Sequence, residues 1–271
     1  MPSPLVSVVV STYNHHKYIV DCLESILMQE TAFSFEVILG EDESSDGTRE
    51  ICKRYAEKYP DRIKLFLRSR KNVIYINGSP TGRYNFLENL KACKGKYIAL
   101  CEGDDYWTDP LKLQKQVGFM EGNPEYNICF HEVQIYNQQI NTLEEDTITR
   151  NISDITDCVD LARGNYIHTP SVIFRNTFDI PDWFVQSPLG DWTIYMLAAK
   201  DRKIYKMQDI MAVYRQHNDS IWSKKSKEHR IANTLKSFCL VNENLSFPKE
   251  TSTALKEKIK FYKKQLLNLS K

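Results

Sequence analysis

The chain has 271 residues, 42% hydrophobic and 26% charged, with 36 lysines and arginines against 35 aspartates and glutamates. That balance excludes a global electrostatic pull toward nucleic acid, so an anionic ligand has to be recognised by a local site. Seven cysteines without a CxxC pair or metal-ligand spacing read as reduced, buried thiols of a cytosolic protein, and no apolar window is long enough for a membrane span or signal peptide.

Residues 5 to 10 form a β-branched run, expected as a buried strand. Tyr18, Cys22, Ile26 and Ile19, Leu23, Leu27 recur at helical spacing, predicting a helix over 16 to 29. A second strand (35 to 39) leads into a helix with Asp46 as its N-cap and Pro60 as its stop. A third strand (63 to 67), a short helix (85 to 93) and a fourth strand (97 to 101) follow. Strand and helix in alternation, with short links, predict an α/β fold with a mostly parallel sheet wrapped by helices. Ligands of such sheets bind at the carboxyl ends of the strands, near the switch in strand order. STYN, GEDESSD and EGDD follow strands one, two and four, so three polar turns gather on one edge.

Beyond residue 110 the pattern is mixed. Leu113, Val117 and Met120 mark a helix, 127 to 136 a strand, and 137 to 152 an exposed connection. HTPSVIFR (168 to 175) reads as a strand and 192 to 200 as a helix. KIYKM and MAVYRQH read as one closing strand or a hairpin, and two helical patterns occupy the tail. No repeat or low-complexity segment is present.

The run IALCEGDDYWTD delivers Glu102, Asp104 and Asp105 to one strand tip, where like charges need a cation. Mg²⁺ or Mn²⁺ takes one or two carboxylates together with phosphate oxygens and water, and a metal across a diphosphate stabilises its departure. The expectation is therefore a hydrated divalent ion carrying a diphosphate, with Asp105 as direct ligand and Glu102 and Asp104 in support. The alternative is an acidic surface turn ahead of a helix. In GEDESSD, Asp42 suits the imide N–H of a uracil, with Ser11 and Thr12 nearby; the alternative is a solvated turn. Arg83 is a candidate for neutralising phosphate, and Trp107 and Trp222 for stacking on a sugar, although core packing is the commoner use of tryptophan.

Three ordered stretches, PLVSVVVSTYNHHKYIVDCLESILMQ, FEVILGEDESSDGT and GKYIALCEGDDYWTDPLKLQKQ, resemble the family 2 glycosyltransferases of the GT-A fold, a Rossmann-like nucleotide-diphospho-sugar transferase architecture. A weaker likeness runs through SPLGDWTIYMLAAKDRKIYKM and VYRQHNDS to about residue 222. The resemblance implies a transferase domain over 1–222, with a nucleotide-binding half (1–110) and an acceptor-binding half (111–222), and a C-terminal helical extension over 223–271. It implies nucleobase contacts from Ser11, Thr12, Tyr13 and Asn14, with Asp42 reading uracil beside Glu41. The family's DxD-type element falls on Gly103, Asp104 and Asp105. Its catalytic base falls in a pair commonly reading Glu-Asp, here Gly190-Asp191, leaving Asp191 as base; its other reading is as cap of the following helix. Arg215 and His217 fall on the R-x-H element that contacts diphosphate or metal, with Ser220 a further candidate.

The expected function is a metal-dependent, inverting, single-addition transfer from a nucleotide-diphosphate sugar, UDP-linked by preference, to a glycan or lipid-linked acceptor in cell-envelope synthesis. The likeness is to bacterial members, and the absence of a Q-x-x-R-W element and membrane helices implies the non-processive class. The rivals are a nucleotide-sugar-binding protein that has lost its chemistry, suggested by Gly190 and Glu41, and a sugar nucleotidyltransferase, disfavoured because STYNHHK lacks the glycines of its phosphate loop. Lys256, Lys258, Lys260, Lys263 and Lys264 beside the apolar row of the last helix allow either contact with anionic lipid, at the inner face of the cytoplasmic membrane, or packing on the domain.

Overall fold

A computed structural model describes residues 3–149, 151–200, 202–217 and 225–269. The first half alternates as the apolar runs predict: β1 (Val6–Thr12), α1 (Ile19–Leu27), β2 (Phe35–Glu41), α2 (Thr48–Lys58) and β3 (Ile63–Leu67). A small antiparallel hairpin, β4 (Ile74–Ile76) and β5 (Ser79–Thr81), precedes α3 (Arg83–Ala92) and β6 (Tyr97–Leu100). There follow β7 (Tyr106–Trp107), α4 (Lys112–Gly122), β8 (Tyr126–Asn137), β9 (Thr142–Glu145), β10 (Ile155–Thr156) and α5 (Cys158–Arg163). The chain continues with β11 (Ile173–Arg175), α6 (Gly190–Ala199), β12 (Lys203–Gln216), α7 (Lys227–Asn244) and α8 (Lys249–Leu269).

The main sheet runs β10-β12-β8-β11-β6-β1-β2-β3, with β7 on β12 and β9 on β8. β6, β1, β2 and β3 are mutually parallel, β11 is antiparallel to both neighbours, and β12 is parallel to β8. Because β1 lies between β2 and β6, the strand order switches at β1, and the carboxyl ends of these three strands open a crevice there. Helices cover both faces, which is why the central strands are apolar throughout. The period of two divides them: Val8 and Val10 pack with Ile19, Leu23 and Val37, while Val9 packs with Leu90, Ile98 and Phe130 on the opposite side.

Residues 203 to 216 make one strand, the first of the two readings, with register shifts after Met207 and Ile210. Three expectations change. The exposed connection at 137 to 152 contains β9 and a turn closed by buried Asp146, whose Oδ1 accepts from the amides of Ile148 and Thr149 (both 2.9 Å). Within 168 to 175 only β11 is extended, because Pro170 lacks a ladder donor and the Ser171 hydroxyl donates to the His168 carbonyl (2.7 Å), closing a turn. Gly47, not Asp46, is the N-cap of α2; the Asp46 carboxylate accepts from Thr48 and His16 instead.

The C-terminal helices pack on the main core. Phe238 of α7 stacks on Trp192 of α6, ring centres 4.1 Å apart, and Ala254 and Leu255 of α8 join the same cluster. Among the described residues no helix is long and apolar enough to cross a membrane.

Candidate active site

The turns after β1 and β2 are laced together by backbone geometry. The Asp42 amide donates to the Thr12 carbonyl (3.0 Å), the Asn14 amide to Ser44 Oγ (2.9 Å), and the Ser45 amide to Asn14 Oδ1 (3.0 Å). Asn14 has φ 54, a left-handed conformation that asparagine tolerates better than most residues. The acidic turn after β6 docks beneath, its Gly103 amide donating to the Ser11 carbonyl (3.0 Å). A Cβ on Gly103 would lie 2.7 Å from Thr12 Oγ1 and 2.8 Å from His15 Nδ1, so only glycine permits this approach.

These turns and the end of β12 enclose a cavity of about 800 Å³. Its lining includes eight of the predicted residues: Ser11, Thr12, Tyr13, Asn14, Asp42, Glu102, Asp104 and Asp105. It also includes His15, His16, Lys17, Asn85, Thr169 and Tyr214, which the sequence reading did not single out. At one end Asp42 is buried, with Oδ2 2.6 Å from Arg70 Nη1, and the Arg70 guanidinium lies 4.2 Å from the centre of the Tyr13 ring. Burial pushes the Asp42 carboxyl up, against the pull of Arg70. Arg70 was missed because RSRKN looks like solvated loop; its position just past the carboxyl end of β3 was the available signal.

At the other end Asp104 Oδ2 lies 3.0 Å from His217 Nε2 and 3.7 Å from His15 Nε2. Asp105, expected as the metal ligand, is 1% exposed and turns back to the sheet, with Oδ1 accepting from the Arg215 amide (2.8 Å). Its Oδ2 is buried without a partner, as are His217 Nδ1 and Thr12 Oγ1. Burial, with the charges of Asp104 and Asp191, pushes the Glu102 carboxyl up to about 8. Among the described residues no three His, Cys, Asp or Glu side chains form a ready-made metal cage. The donor set is a carboxylate and an imidazole, Asp104 and His217, beside buried oxygens that lack partners. It fits a divalent ion whose remaining positions are filled by diphosphate oxygens and water.

A second cavity, of about 260 Å³, shares Ser11, Gly82, Glu102 and Thr169 with the first and adds Arg83, Gly190 and Asp191. Asp191 lies in the first turn of α6, one residue past its start, so it is not the cap. It accepts from Asn165 Nδ2 (3.2 Å). Burial pushes its carboxyl up, opposed by the Trp192 amide and the Arg83 charge.

Several expected site residues are engaged elsewhere. Glu41 is fully buried, with Oε1 accepting from the Ser44 amide (2.6 Å) and Oε2 paired with Arg49, so it braces the turn instead of facing the cavity. Arg215 reaches Asp21 (2.5 Å) between the rings of Tyr18 and Tyr106. Trp107 is a core residue whose Nε1 donates to the Pro170 carbonyl (2.9 Å). Arg83 lies in the second cavity's wall and does not line the first. Ser220 and Trp222 fall outside the described residues.

Residues 7–179 match the model of glycosyl transferase family 2. The chain belongs to that family. An uncharacterised protein of Mycobacterium tuberculosis is 36% identical over 225 residues, which are 83% of this chain and 62% of that protein. The chain thus spans less than two thirds of that relative's length. TuaG of Bacillus subtilis, named as a teichuronic acid biosynthesis glycosyltransferase, is 29% identical over 83% of this chain and 84% of its own. Among solved structures, TarS of S. aureus with UDP-GlcNAc aligns at TM-score 0.59 and 17% identity, over 95% of this chain and 71% of that one. A mannosyltransferase of Pyrobaculum calidifontis with GDP-Man and Mn²⁺ aligns at 0.63 and 16%, over 95% and 69%. These likenesses identify the family's GT-A fold.

Proposed function

We propose that the chain transfers a single sugar from a UDP-linked donor to a hydroxyl of a cell-surface glycan or lipid-linked acceptor, with inversion. The observation that carries this reading is the polarity of one crevice. A hydrogen-bonding carboxylate beside an aromatic ring, Asp42 and Tyr13, occupies one end, and Asp104, backed by buried His217, occupies the other. Asp42 accepts from the imide N–H of the base while the Tyr13 ring covers it. Asp104 and His217 would hold the ion, with Asp105, whose Oδ2 is buried without a partner, beside them. A divalent ion held there would supply the charge that neutralises the departing diphosphate. Asp191, across Glu102 in the adjoining cavity, takes the proton of the acceptor hydroxyl as it attacks. Its raised pKa suits a base that has to hold that proton.

The cell-surface assignment draws on TuaG and on a B. subtilis relative named for minor teichoic acid biosynthesis. The enzyme works on the cytoplasmic side, where the end of α8 offers exposed Phe261, Leu267 and Leu269 beside exposed Lys256, Lys260, Lys263 and Lys264 to an anionic membrane. Thermal unfolding with UDP or GDP, with and without Mn²⁺, tests the donor. UDP at a hundredfold excess over its dissociation constant stabilises by about 2.7 kcal/mol, and only with the metal. Stabilisation by GDP instead overturns the choice of base.

A further inference from the structure

Arg83 is the buried charge that sugar transfer leaves without a task. It is 8% exposed, and its Nη2 donates to the Ser187 and Pro188 carbonyls (2.9 and 3.3 Å). The guanidinium is flanked by the rings of Phe184 and Phe86, centres 4.9 and 5.8 Å away. Its Nε is buried without a partner, and among the described residues no carboxylate lies within ion-pair distance. A Cβ on Gly190 would fall 1.6 Å from Nη1, so the guanidinium fills the space that a side chain at position 190 would need. Asp191 and Glu102 act on it through space without touching it, and a buried guanidinium whose direct partners are neutral carbonyls is costly unless a counter-charge docks on it.

The cavity it lines contains a second cation, Lys225, against the acids Asp191 and Glu102. It lies beside the diphosphate end, not within it, and it holds the base that meets the acceptor. We propose that this cavity is the acceptor subsite for a sugar bearing an acidic oxyanion, a uronate carboxylate or a phosphate ester, gripped by Arg83 with Lys225. This rests on the reading of Asp191 as base. The planar fork of an arginine pairs two oxygens of either group at once, which lysine cannot do. Gly190 is then a specificity feature: by leaving no acidic side chain at that position, it keeps the Arg83 donors open for the substrate.

The test is binding of methyl β-glucuronide, methyl glucose 6-phosphate and neutral methyl β-glucoside, followed by ligand-observed NMR on the full chain with UDP and Mn²⁺ present. The wild type binds one acidic sugar at least tenfold tighter than the neutral one, and the tighter of the two identifies carboxylate or phosphate. Arg83→Gln loses that preference while neutral-sugar binding and stabilisation by UDP with Mn²⁺ persist. Gly190→Glu, which supplies an internal carboxylate, loses it as well, and it carries the test with Lys225→Gln if Arg83→Gln does not fold. Equal binding of acidic and neutral sugars by the wild type, or an acid preference that survives both Arg83→Gln and Gly190→Glu, overturns the subsite and leaves the proposed function standing. Absence of any stabilisation of the wild type by UDP with Mn²⁺ removes the proposed function, and this subsite with it.

Discussion

Lys112 offers a stability experiment whose sign reverses with pH. Its side chain is fully buried, with Nζ donating to Gln116 Oε1 (2.7 Å) and lying 4.3 Å from the centre of the Trp107 ring. Burial pushes its pKa down from 10.5 to about 7. Each pKa unit is worth about 1.4 kcal/mol, so the ammonium costs the fold about 5 kcal/mol below pH 7. The unfolded chain binds the extra proton between pH 7 and 10.5, so this cost falls as pH rises. Lys112→Met removes the charge but leaves Gln116 Oε1 without its donor, a loss of about 1–3 kcal/mol. The variant is therefore expected to be about 2–4 kcal/mol more stable than the wild type at pH 6. That advantage shrinks by about 2–3 kcal/mol by pH 9 and turns into a deficit near pH 10. Urea unfolding of both proteins across this range measures it, and taking the difference cancels thiols and phenols that titrate alike in both. A difference that stays flat from pH 6 to 9 would refute the lowered pKa of Lys112.

Asp191→Asn is expected to lower kcat by about 10²–10⁴-fold with stabilisation by UDP and Mn²⁺ intact; unchanged turnover removes Asp191 from the mechanism. Because burial raises the Asp191 pKa and the base has to be ionised, the wild-type rate falls as pH drops through that raised value, and a pH-rate profile reads it. His217→Ala removes one of two donors, so the Mn²⁺ concentration for half-maximal stabilisation by UDP rises at least tenfold; an unchanged titration excludes His217 as a ligand. Burial would raise the Asp146 carboxyl, but His168 and the Thr149 amide hold it well below the usual range. Its stabilisation is present above the ordinary aspartate pKa and is lost as pH falls through the lowered one. Asp146→Asn accordingly costs about 1–3 kcal/mol at pH 7 and progressively less in acid, measured by chemical unfolding.

The strands that carry the site were legible because they are buried on both faces. VSVVV, FEVIL and YIAL are predominantly apolar runs bounded by polar turns, interrupted only by Ser7 and Glu36, which bond to each other, and such runs leave little ambiguity. Their turns had to gather at one edge once the strands were parallel, and eight predicted residues do line the cavity. What the sequence hid is direction. Glu41 and Asp42 are adjacent and equally acidic, yet one faces Arg49 in the interior and the other faces the crevice. Asp104 and Asp105 both line the cavity, yet one meets His217 and the other the Arg215 amide. Neighbours at a strand end alternate sides, and the register that decides between them is set by partners far along the chain. The burial of Arg70 and Arg83 was not legible, since an arginine bound for burial looks like any other in a polar loop.

The division between Asp104 and Asp105 also explains why the second half of the chain is needed to complete the first. Asp105 is held by the Arg215 amide and Asp104 meets His217, so both contacts come from the last three residues of one segment at the end of β12. They arrive there only because β12 lies parallel to β8 through three register shifts, and its end runs past Tyr106 and Trp107 of β7. The shift between Ile210 and Val213 adds one residue to β12 and so changes which face the following residues present; a strand without it would turn Arg215 and His217 elsewhere. The acidic turn is thus written in residues 102 to 105, but its geometry is imposed from more than a hundred residues away. A change in the bulges of β12, at Met207 or Ile210, should therefore weaken metal-dependent UDP binding without touching any residue that lines the cavity.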